Sequence, residues 1–364
     1  MKLSNNQQAF FELLRAGLWE KEARLSGYRD IDYPAILRLT EEQSVVGLIT
    51  AGLERVADVK VPQEILLQFI GSTLQIEQQN KAMNEFVARL IGKLRKGDIY
   101  AILVKGQGLA QCYKKPLWRA SGDVDLLLST DNYEKAKNVL IPIATDVEKE
   151  FKTFKHLGIS MPGGYVVELH GTMYSRLSRC IDRVIDEAQK DVFFGGNVRS
   201  WQNGSTSVFL PSVDNDVIFV FTHILHHFYI EGIGLRQICD WCRLLWTFRS
   251  ELDIKLLGQR LKRACLMSEW KAFAALAVDW LGMPVEAMPL YSTEKKWSRK
   301  ANTIIAFVLE CGNFGHCRQV SHGKVNSALS KMKDFARHTL VFPLDSIKFF
   351  WHFLMDGIQL TIEK

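Results

Sequence analysis

The amino-acid sequence predicts an α+β protein, in which a small mixed sheet with helices is flanked by helical regions on its N-terminal and C-terminal sides. Apolar residues recur at helical spacing before residue 96 and again after residue 213, and short runs of strand-forming residues fill the segment between. We therefore divide the chain into an N-terminal helical region at 1–96, an α/β core at 97–212 and a C-terminal helical domain at 213–364.

The N-terminal region contains three strongly periodic segments. Their apolar residues recur at spacings of three and four in AFFELLRAGLW, EEQSVVGLITAGLERV and EILLQFIGSTLQIEQQNKAMNEFVARLIGKL. Pro34 and Pro62 stand where helices would begin, a position at which the missing N–H leaves no hydrogen bond unmade. These segments predict helices.

The pattern changes after residue 98 to shorter elements. IYAILV and DVDLLL predict buried strands, with the turn KGQG and a helix LAQCY between them, and NYEKAKNVLI predicts a further helix. EKEFKTFKHLGISM and YVVELHGTMY alternate like strands, and the tripeptide at 162–164 between them predicts a hairpin. DVFFGG and SVFL are weaker strand candidates. From Asp214 onward the helical period returns.

Composition and charge limit the classes of protein to consider. Apolar residues make up 47% and charged residues 24%, which excludes wholesale disorder. A net charge of +6 suits an anionic ligand such as a nucleotide, and we expect no binding to a DNA duplex. We expect no secretory signal, no transmembrane segment and reduced thiols for the seven cysteines, and therefore a cytoplasmic protein.

The pair Asp123 and Asp125 is the first candidate for chemistry. On a strand these residues project from the same face, so their carboxylates lie close together. Such a pair is stabilised by a cation, and a divalent metal is the usual one. The alternative is the exposed end of an ordinary strand. We expect magnesium or manganese as the ion, with Asp123, Asp125 and Glu168 as its ligands.

Two flanking features favour the metal interpretation. Upstream, a strand runs into Lys105 and Gly106, where backbone N–H groups can approach an anion and the lysine adds a charge for a triphosphate. Downstream, YVVELHG places Glu168 and His170 on one face of a strand. Three acids on adjacent strands can hold two divalent ions for in-line phosphoryl displacement.

Several polar residues near these acids have two interpretations. Arg119, which precedes the acid pair together with Ser121, either binds a phosphate, pairs with an acid of the site, or ties its loop to the fold. His170 either orients an acceptor hydroxyl, serves as a base, or is structural, and His156 is a weaker candidate. His223, His226 and His227 share a helix, near Cys239 and Cys242. We expect these five residues to pack rather than to bind metal.

The order of KG, DVDLL and VELH resembles the uncharacterised bacterial nucleotidyltransferase family of the polymerase-beta-like superfamily, and is similar in outline to nucleotidyltransferase toxins of abortive-infection systems. The resemblance extends to the flanking helical segments and implies a polymerase-beta-like core. It implies a glycine turn at Gly106, an acid pair at Asp123 and Asp125, and a third acid at Glu168. Gln107 departs from the superfamily's usual glycine or serine at that position.

The resemblance implies a further set of nucleotide contacts and a reaction. Lys105, Gly106, Gln107, Arg119, Ser121, His170 and Arg236 are the expected nucleotide-binding residues. The expected reaction is transfer of a nucleoside monophosphate from a nucleoside triphosphate to an unidentified hydroxyl acceptor on a small molecule, RNA or protein, with release of pyrophosphate. The alternatives are a catalytically silent nucleotide-binding regulator or toxin-like module, and a helical interaction protein with a degenerate core.

Overall fold

The computed structural model describes residues 3–151, 155–230, 232–312 and 335–351. The chain divides into two compact units: residues 1–70, 175–184 and 221–364 form the first, and residues 71–174 and 185–220 form the second. The second unit contains the residues of all seven described strands. The boundaries at residues 96 and 212 stay a prediction.

Helices precede the first strand, as the periodicity predicts. They are α1 (Asn5–Trp19), α2 (Tyr33–Glu42), α3 (Val46–Leu53) and α4 (Gln63–Arg95). Ser4 caps α1, because its side chain accepts a hydrogen bond from the backbone of Gln7 while the Gln7 side chain accepts one from the backbone of Ser4. Pro34 lies in the first turn of α2, and Pro62 directly precedes α4. Both prolines therefore stand at helix starts, as predicted.

Helices α1 and α3 approach each other closely in the first unit because glycines line the crossing. A methyl group added at Gly17 would lie 1.9 Å from the Leu48 carbonyl oxygen, and one added at Gly52 would lie 2.1 Å from the Leu13 carbonyl oxygen. These positions therefore admit no side chain without separating the helices.

We expect Gly52→Ala to destabilise the protein by about 3 kcal/mol or more, because the added methyl group overlaps backbone rather than a movable side chain. Gly71→Ala is the matched control: Gly71 lies within α4 with nothing within 4 Å of an added methyl group. That variant should gain about 0.5 to 1 kcal/mol. Urea unfolding of both variants measures the difference, and equal stability for the two would contradict this packing.

Strands and helices are interspersed between residues 102 and 211, and the elements described after residue 211 are helical. The strands are β1 (Ile102–Val104), β2 (Asp123–Leu127), β3 (Asp146–Val147), β4 (His156–Met161), β5 (Tyr165–His170), β6 (Val198–Asn203) and β7 (Thr206–Pro211). The helices are α5 (Gly106–Ala110), α6 (Thr130–Leu140), α7 (Arg179–Phe194), α8 (Val213–Ile230), α9 (Leu235–Thr247), α10 (Ile254–Arg263), α11 (Met267–Asp279) and α12 (Lys295–Cys311). Residues 335–341 and 343–351 are also helical.

The strands form one mixed sheet in the order β3-β4-β5-β2-β1-β7-β6. Strand β2 runs parallel to β5 and antiparallel to β1, while β1 runs parallel to β7. Strands β4 and β5 form the predicted hairpin, whose turn contains Gly163 at φ 89° and Gly164 at φ 80°. The mixed α+β class is thereby confirmed.

One face of the sheet is buried in an apolar core of the second unit. Val124 and Leu126 of β2, Val167 and Leu169 of β5, and Leu103 of β1 all lie in that core. Apolar residues of α4 and α6 complete it, among them Phe86, Leu90, Tyr133 and Leu140. Because side chains alternate along a strand, this burial directs residues 123, 125, 168 and 170 to the opposite face.

The prediction of a strand at DVFFGG is wrong. Residues 191–194 are the last turn of α7, and Gly196 follows at φ 68°. The helical period continues into this segment from Ile185 and Ala188 to Val192, all of which are buried. Packing of that continuous face outweighs the strand preference of three residues. The adjacent β6 was not predicted, because its sequence VRSWQN contains few apolar residues.

A buried acid in the first unit predicts a pH-dependent stability. Glu269 of α11 is fully buried, and its burial and the nearby Asp345 carboxylate raise its pKa from 4.5 to about 8. Tyr229 donates a hydrogen bond to it at 3.3 Å, and the positive charge of Lys300 also lies nearby.

Between the pKa of Glu269 in the unfolded chain and about 8, the native state holds a proton that the unfolded state has lost. The stability of the protein therefore falls as the pH rises through this window. Glu269→Gln should remove this dependence of the free energy of unfolding on pH, which is at most about 1.4 kcal/mol per pH unit. We expect the melting temperature of the variant to exceed that of the parent at pH 8 and to equal it at pH 5. An equal difference in melting temperature between variant and parent at the two pH values would contradict the raised pKa of Glu269.

Candidate active site

The site lies on the face of the sheet opposite the core, where β1, β2, β5 and β4 are adjacent. Asp125 of β2 is in register with Val104 of β1 and Glu168 of β5. The parallel pairing of β2 with β5 therefore puts the carboxylates of Asp125 and Glu168 side by side. Asp123, two residues before Asp125 on the same face, adds a third.

Asp125 accepts two strong hydrogen bonds at one oxygen. The Lys105 Nζ lies 2.7 Å from its Oδ1, and the His170 Nε2 lies 2.8 Å from the same atom. The Asp125 side chain is only 3% exposed. A buried carboxylate needs such partners, because burial without them would be costly.

Lys105 joins β1 to the short helix α5 in an unusual backbone conformation. Its φ is 58° and its ψ is −144°, a region that favours glycine, and Gly106 follows at φ 39°. This bend turns the Lys105 side chain toward the acids. Burial lowers the pKa of Lys105, but the negative charge of Asp125 and of the other acids outweighs it and holds that pKa above its ordinary value.

Glu168 lies between two histidines. The His156 Nε2 is 3.2 Å and the His170 Nε2 is 3.4 Å from the Glu168 Oε2. Burial raises the pKa of Glu168, but these hydrogen bonds and the charge of Lys105 outweigh it and hold the pKa far below its usual value. Glu168 is therefore a carboxylate in this environment.

His170 connects the second and third acids through its hydrogen bonds to Asp125 and Glu168. Burial lowers the pKa of His170, but these two hydrogen bonds outweigh it and hold the pKa above its usual value. Its Nε2 is thus directed at carboxylates.

Two groups of side chains in the described residues have donor atoms close enough to share a metal ion. They are the predicted set Asp123, Asp125 and Glu168, and a second set formed by His156, Glu168 and His170. Within each group the donor atoms lie within 4.8 Å of one another. Glu168 belongs to both.

Gln107, Arg119 and Ser121, which we predicted as nucleotide contacts, are hydrogen-bonded to one another. The Ser121 hydroxyl donates to the Gln107 Oε1 at 2.6 Å, and Arg119 donates to the Ser121 hydroxyl at 2.8 Å. Asn80 of α4 accepts from Gln107 and donates to the carbonyl oxygens of Leu117 and Arg119. The Gln107 residue is 2% exposed. These hydrogen bonds fix the position of the loop that precedes the acid pair.

The other predicted residues lie outside the sheet. Arg236 is on α9 in the first unit, and every contact described above comes from the second. His223 and His227 of α8 face each other with their Nε2 atoms 3.0 Å apart, and His226 Nδ1 lies 2.7 Å from the Ser175 carbonyl oxygen. Cys239 and Cys242 are fully buried, and burial raises the pKa of both thiols. In the described residues none of these five side chains joins a metal-capable group of three.

Sequence comparison now bears on this geometry. Residues 29–282, which include every residue of the sheet, match the family described as uncharacterised nucleotidyltransferases. The chain belongs to this nucleotidyltransferase family. No curated protein and no solved structure matches the chain.

Family membership gives the general class of the activity. A nucleotidyltransferase acts on a nucleoside triphosphate, which is the expected substrate class here. The acids on the polar face of the nucleotidyltransferase sheet are compatible with a divalent metal. Among the helices that the structure describes in this nucleotidyltransferase, none combines the length and apolar character that a bilayer crossing requires.

From the sequence, His156 was only a weak candidate for the site, and Asn80 was not predicted to contribute to it. His156 is 12 residues before Glu168 in the chain, and the antiparallel hairpin brings it opposite His170. The hairpin predicted at 162–164 gave the pairing of the two strands, but not the register that places His156 opposite His170. Asn80 lies in a long helix, where nothing in the sequence distinguishes it from a solvent-facing residue.

Proposed function

We propose that the protein transfers a nucleoside monophosphate from a nucleoside triphosphate to a hydroxyl acceptor, with release of pyrophosphate. The convergence of Asp123, Asp125 and Glu168 on one polar face, beside Lys105, carries the proposal. The resemblance to the polymerase-beta-like superfamily implies a glycine turn after the first strand, an acid pair on the second and a third acid on a later strand. Here the third acid lies on β5, which runs parallel to the strand of the acid pair. We propose a polymerase-beta-like core for the second unit.

The three carboxylates fit a divalent cation. Their oxygens lie within 4.8 Å of one another, and a buried ammonium group already offsets part of their charge. Oxygen donors of this kind suit Mg²⁺ or Mn²⁺, and Asp123, Asp125 and Glu168 would hold it. When bound, the cation would lower the negative charge on the triphosphate and on the attacking oxygen.

The chain's own residues then supply position and charge. Lys105 brings a buried positive charge to the edge of the acid group, where a phosphate oxygen can approach. His170 holds the Asp125 and Glu168 carboxylates in fixed positions through its Nε2. The loop that leads into β2 is held by the hydrogen bonds among Gln107, Ser121 and Arg119. The Arg119 side chain is only partly buried, so it can contact a phosphate.

In the proposed reaction, the acceptor oxygen forms a bond to the α-phosphorus and the bond to the pyrophosphate oxygen breaks. The hydroxyl proton leaves to water.

Incubation of the purified protein with each labelled triphosphate and Mg²⁺, with small-molecule and RNA pools, tests the proposal. The expected result is pyrophosphate release together with a product heavier by one nucleoside monophosphate, detected by mass spectrometry. The protein itself is included as an acceptor. Absence of pyrophosphate with every triphosphate, metal and acceptor pool would reject catalysis.

One observation favours a second candidate, a catalytically silent nucleotide-binding regulator. The Lys105 ammonium already neutralises Asp125 at 2.7 Å, and such an arrangement can take the place of a metal. Calorimetry with a triphosphate and Mg²⁺ separates the two candidates. Binding without any turnover supports the regulator, and binding with pyrophosphate release supports the enzyme.

A further inference from the structure

His156 and His170 form a pair of imidazoles beside the acid group. They are direct register partners on β4 and β5, and their ring centroids lie 4.8 Å apart. Both Nε2 atoms lie near the same oxygen of Glu168, at 3.2 and 3.4 Å, and the His170 Nε2 also lies 2.8 Å from the Asp125 Oδ1. The three donor atoms of His156, Glu168 and His170 lie within 4.8 Å of one another.

We propose that His156, Glu168 and His170 form a second cation site that prefers an ion such as Zn²⁺ or Cu²⁺ to Mg²⁺. The site shares Glu168 with the acid group of the proposed enzyme, and in that respect it rests on the proposed function. Its ability to bind metal does not depend on turnover.

The spacing of the donors agrees with metal coordination. Ligand atoms about 2.1 Å from one ion are about 3.0 Å apart at right angles and about 3.4 Å apart at the tetrahedral angle. The two nitrogen-to-oxygen distances, 3.2 and 3.4 Å, fall within this interval. Small movements of the side chains are enough to admit an ion.

The donor types select the ion. Imidazole nitrogens suit Zn²⁺, Cu²⁺ and related ions, whereas Mg²⁺ prefers oxygen ligands and retains water. The acid group, with three carboxylates, offers oxygen alone. Two neighbouring positions with different preferences therefore share Glu168.

His156 is held in place for this role. Its backbone pairs with that of Phe151 through two hydrogen bonds of 3.0 and 3.3 Å, and the Phe151 ring stacks beside its imidazole at 6.2 Å between centroids. His170 is held by the β2 and β4 strands on either side of β5. Preorganised ligands of this kind favour binding.

Pulsed electron paramagnetic resonance of Cu²⁺ added to chelator-treated full-length protein, without nucleotide, tests the site. We expect modulation from imidazole nitrogen in the parent protein. The modulation should be weakened in His156→Ala and retained in Ser160→Ala, which alters the same face of β4 four residues away. Loss of the modulation in both variants, or its absence from the parent, would overturn the proposal.

Calorimetric competition gives a second measurement. Zn²⁺ should bind the parent at least tenfold more tightly than it binds His156→Ala, whereas Mg²⁺ affinity should change little. His156→Asp, which replaces nitrogen with oxygen, should keep Mn²⁺ binding and lose the preference for Zn²⁺, and circular dichroism checks that each variant folds. Equal Zn²⁺ affinity in the parent and in folded His156→Ala would also overturn the site.

The outcomes separate this site from the proposed reaction. Nitrogen coupling without any pyrophosphate release would retain the metal site and reject the enzyme. Pyrophosphate release with Mg²⁺, without nitrogen coupling or Zn²⁺ preference, would retain the enzyme and reject the second site.

Discussion

Asp125→Asn should reduce nucleotidyl transfer by about a thousandfold or more. The substitution keeps the size of the side chain and removes the charge that both the proposed metal and Lys105 need. Loss of metal-dependent stabilisation removes several kcal/mol from catalysis, and each 1.4 kcal/mol or so is a factor of ten in rate. The measurement is the initial rate of pyrophosphate release at saturating triphosphate and Mg²⁺.

Asp146→Asn is the matched control for this prediction. Asp146 is an exposed aspartate on β3, at the edge of the same sheet, and lies outside both metal-capable groups. It should retain the parent rate. Thermal unfolding of both variants must show a folded protein, because Asp125 also satisfies the buried Lys105 and His170. A folded Asp125→Asn protein with the parent rate would eliminate Asp125 from the reaction.

Lys105→Met should weaken triphosphate binding by about tenfold to a hundredfold, the range expected when a charged hydrogen-bond donor is lost. The methionine keeps the length of the side chain and removes the ammonium charge. Of the two basic side chains that offset the charge of Asp125, only His170 would then remain, so the variant should also depend more strongly on added Mg²⁺. Calorimetric titration with triphosphate at several Mg²⁺ concentrations measures both effects.

Two controls separate the charge of Lys105 from its backbone conformation. Lys105→Gly suits the left-handed φ of 58° but has no charge, so it should bind triphosphate as poorly as Lys105→Met. Lys93→Met removes an exposed lysine of α4 and should bind normally. Parent affinity in Lys105→Gly would show that the backbone turn, and not the ammonium group, holds the phosphate.

The polar face of the sheet was predictable because it depends on local alternation. In DVDLLL the charged residues stand two apart between apolar ones, and in YVVELH the same spacing recurs at Glu168 and His170. A strand with one buried face leaves these side chains only the other face. The helical regions were predictable for a similar reason, since their apolar period reports the buried face directly.

Other features depend on pairing between distant segments. We predicted Gln107 as a nucleotide contact because it follows Gly106. Its side chain is hydrogen-bonded to Ser121 and Asn80, which lie 14 and 27 residues away in the sequence. The strand predicted at 191–196 failed because a helical face that begins near Ile181 continues through it. For the strand at 191–196, tertiary packing outweighed a local signal, whereas the contact of Gln107 with a nucleotide stays a prediction.

The sequence by itself determined the class of the fold, the acid pair with its third carboxylate, and the lysine turn before them, because these follow from periodicity and residue type along single segments. Only the tertiary structure decided that Asp125 and Glu168 are direct neighbours, that Lys105 closes on Asp125, and that His156 joins His170 at Glu168. Strand register creates these contacts. Register is set by how distant segments pair and by which faces they bury together, so no single segment contains it.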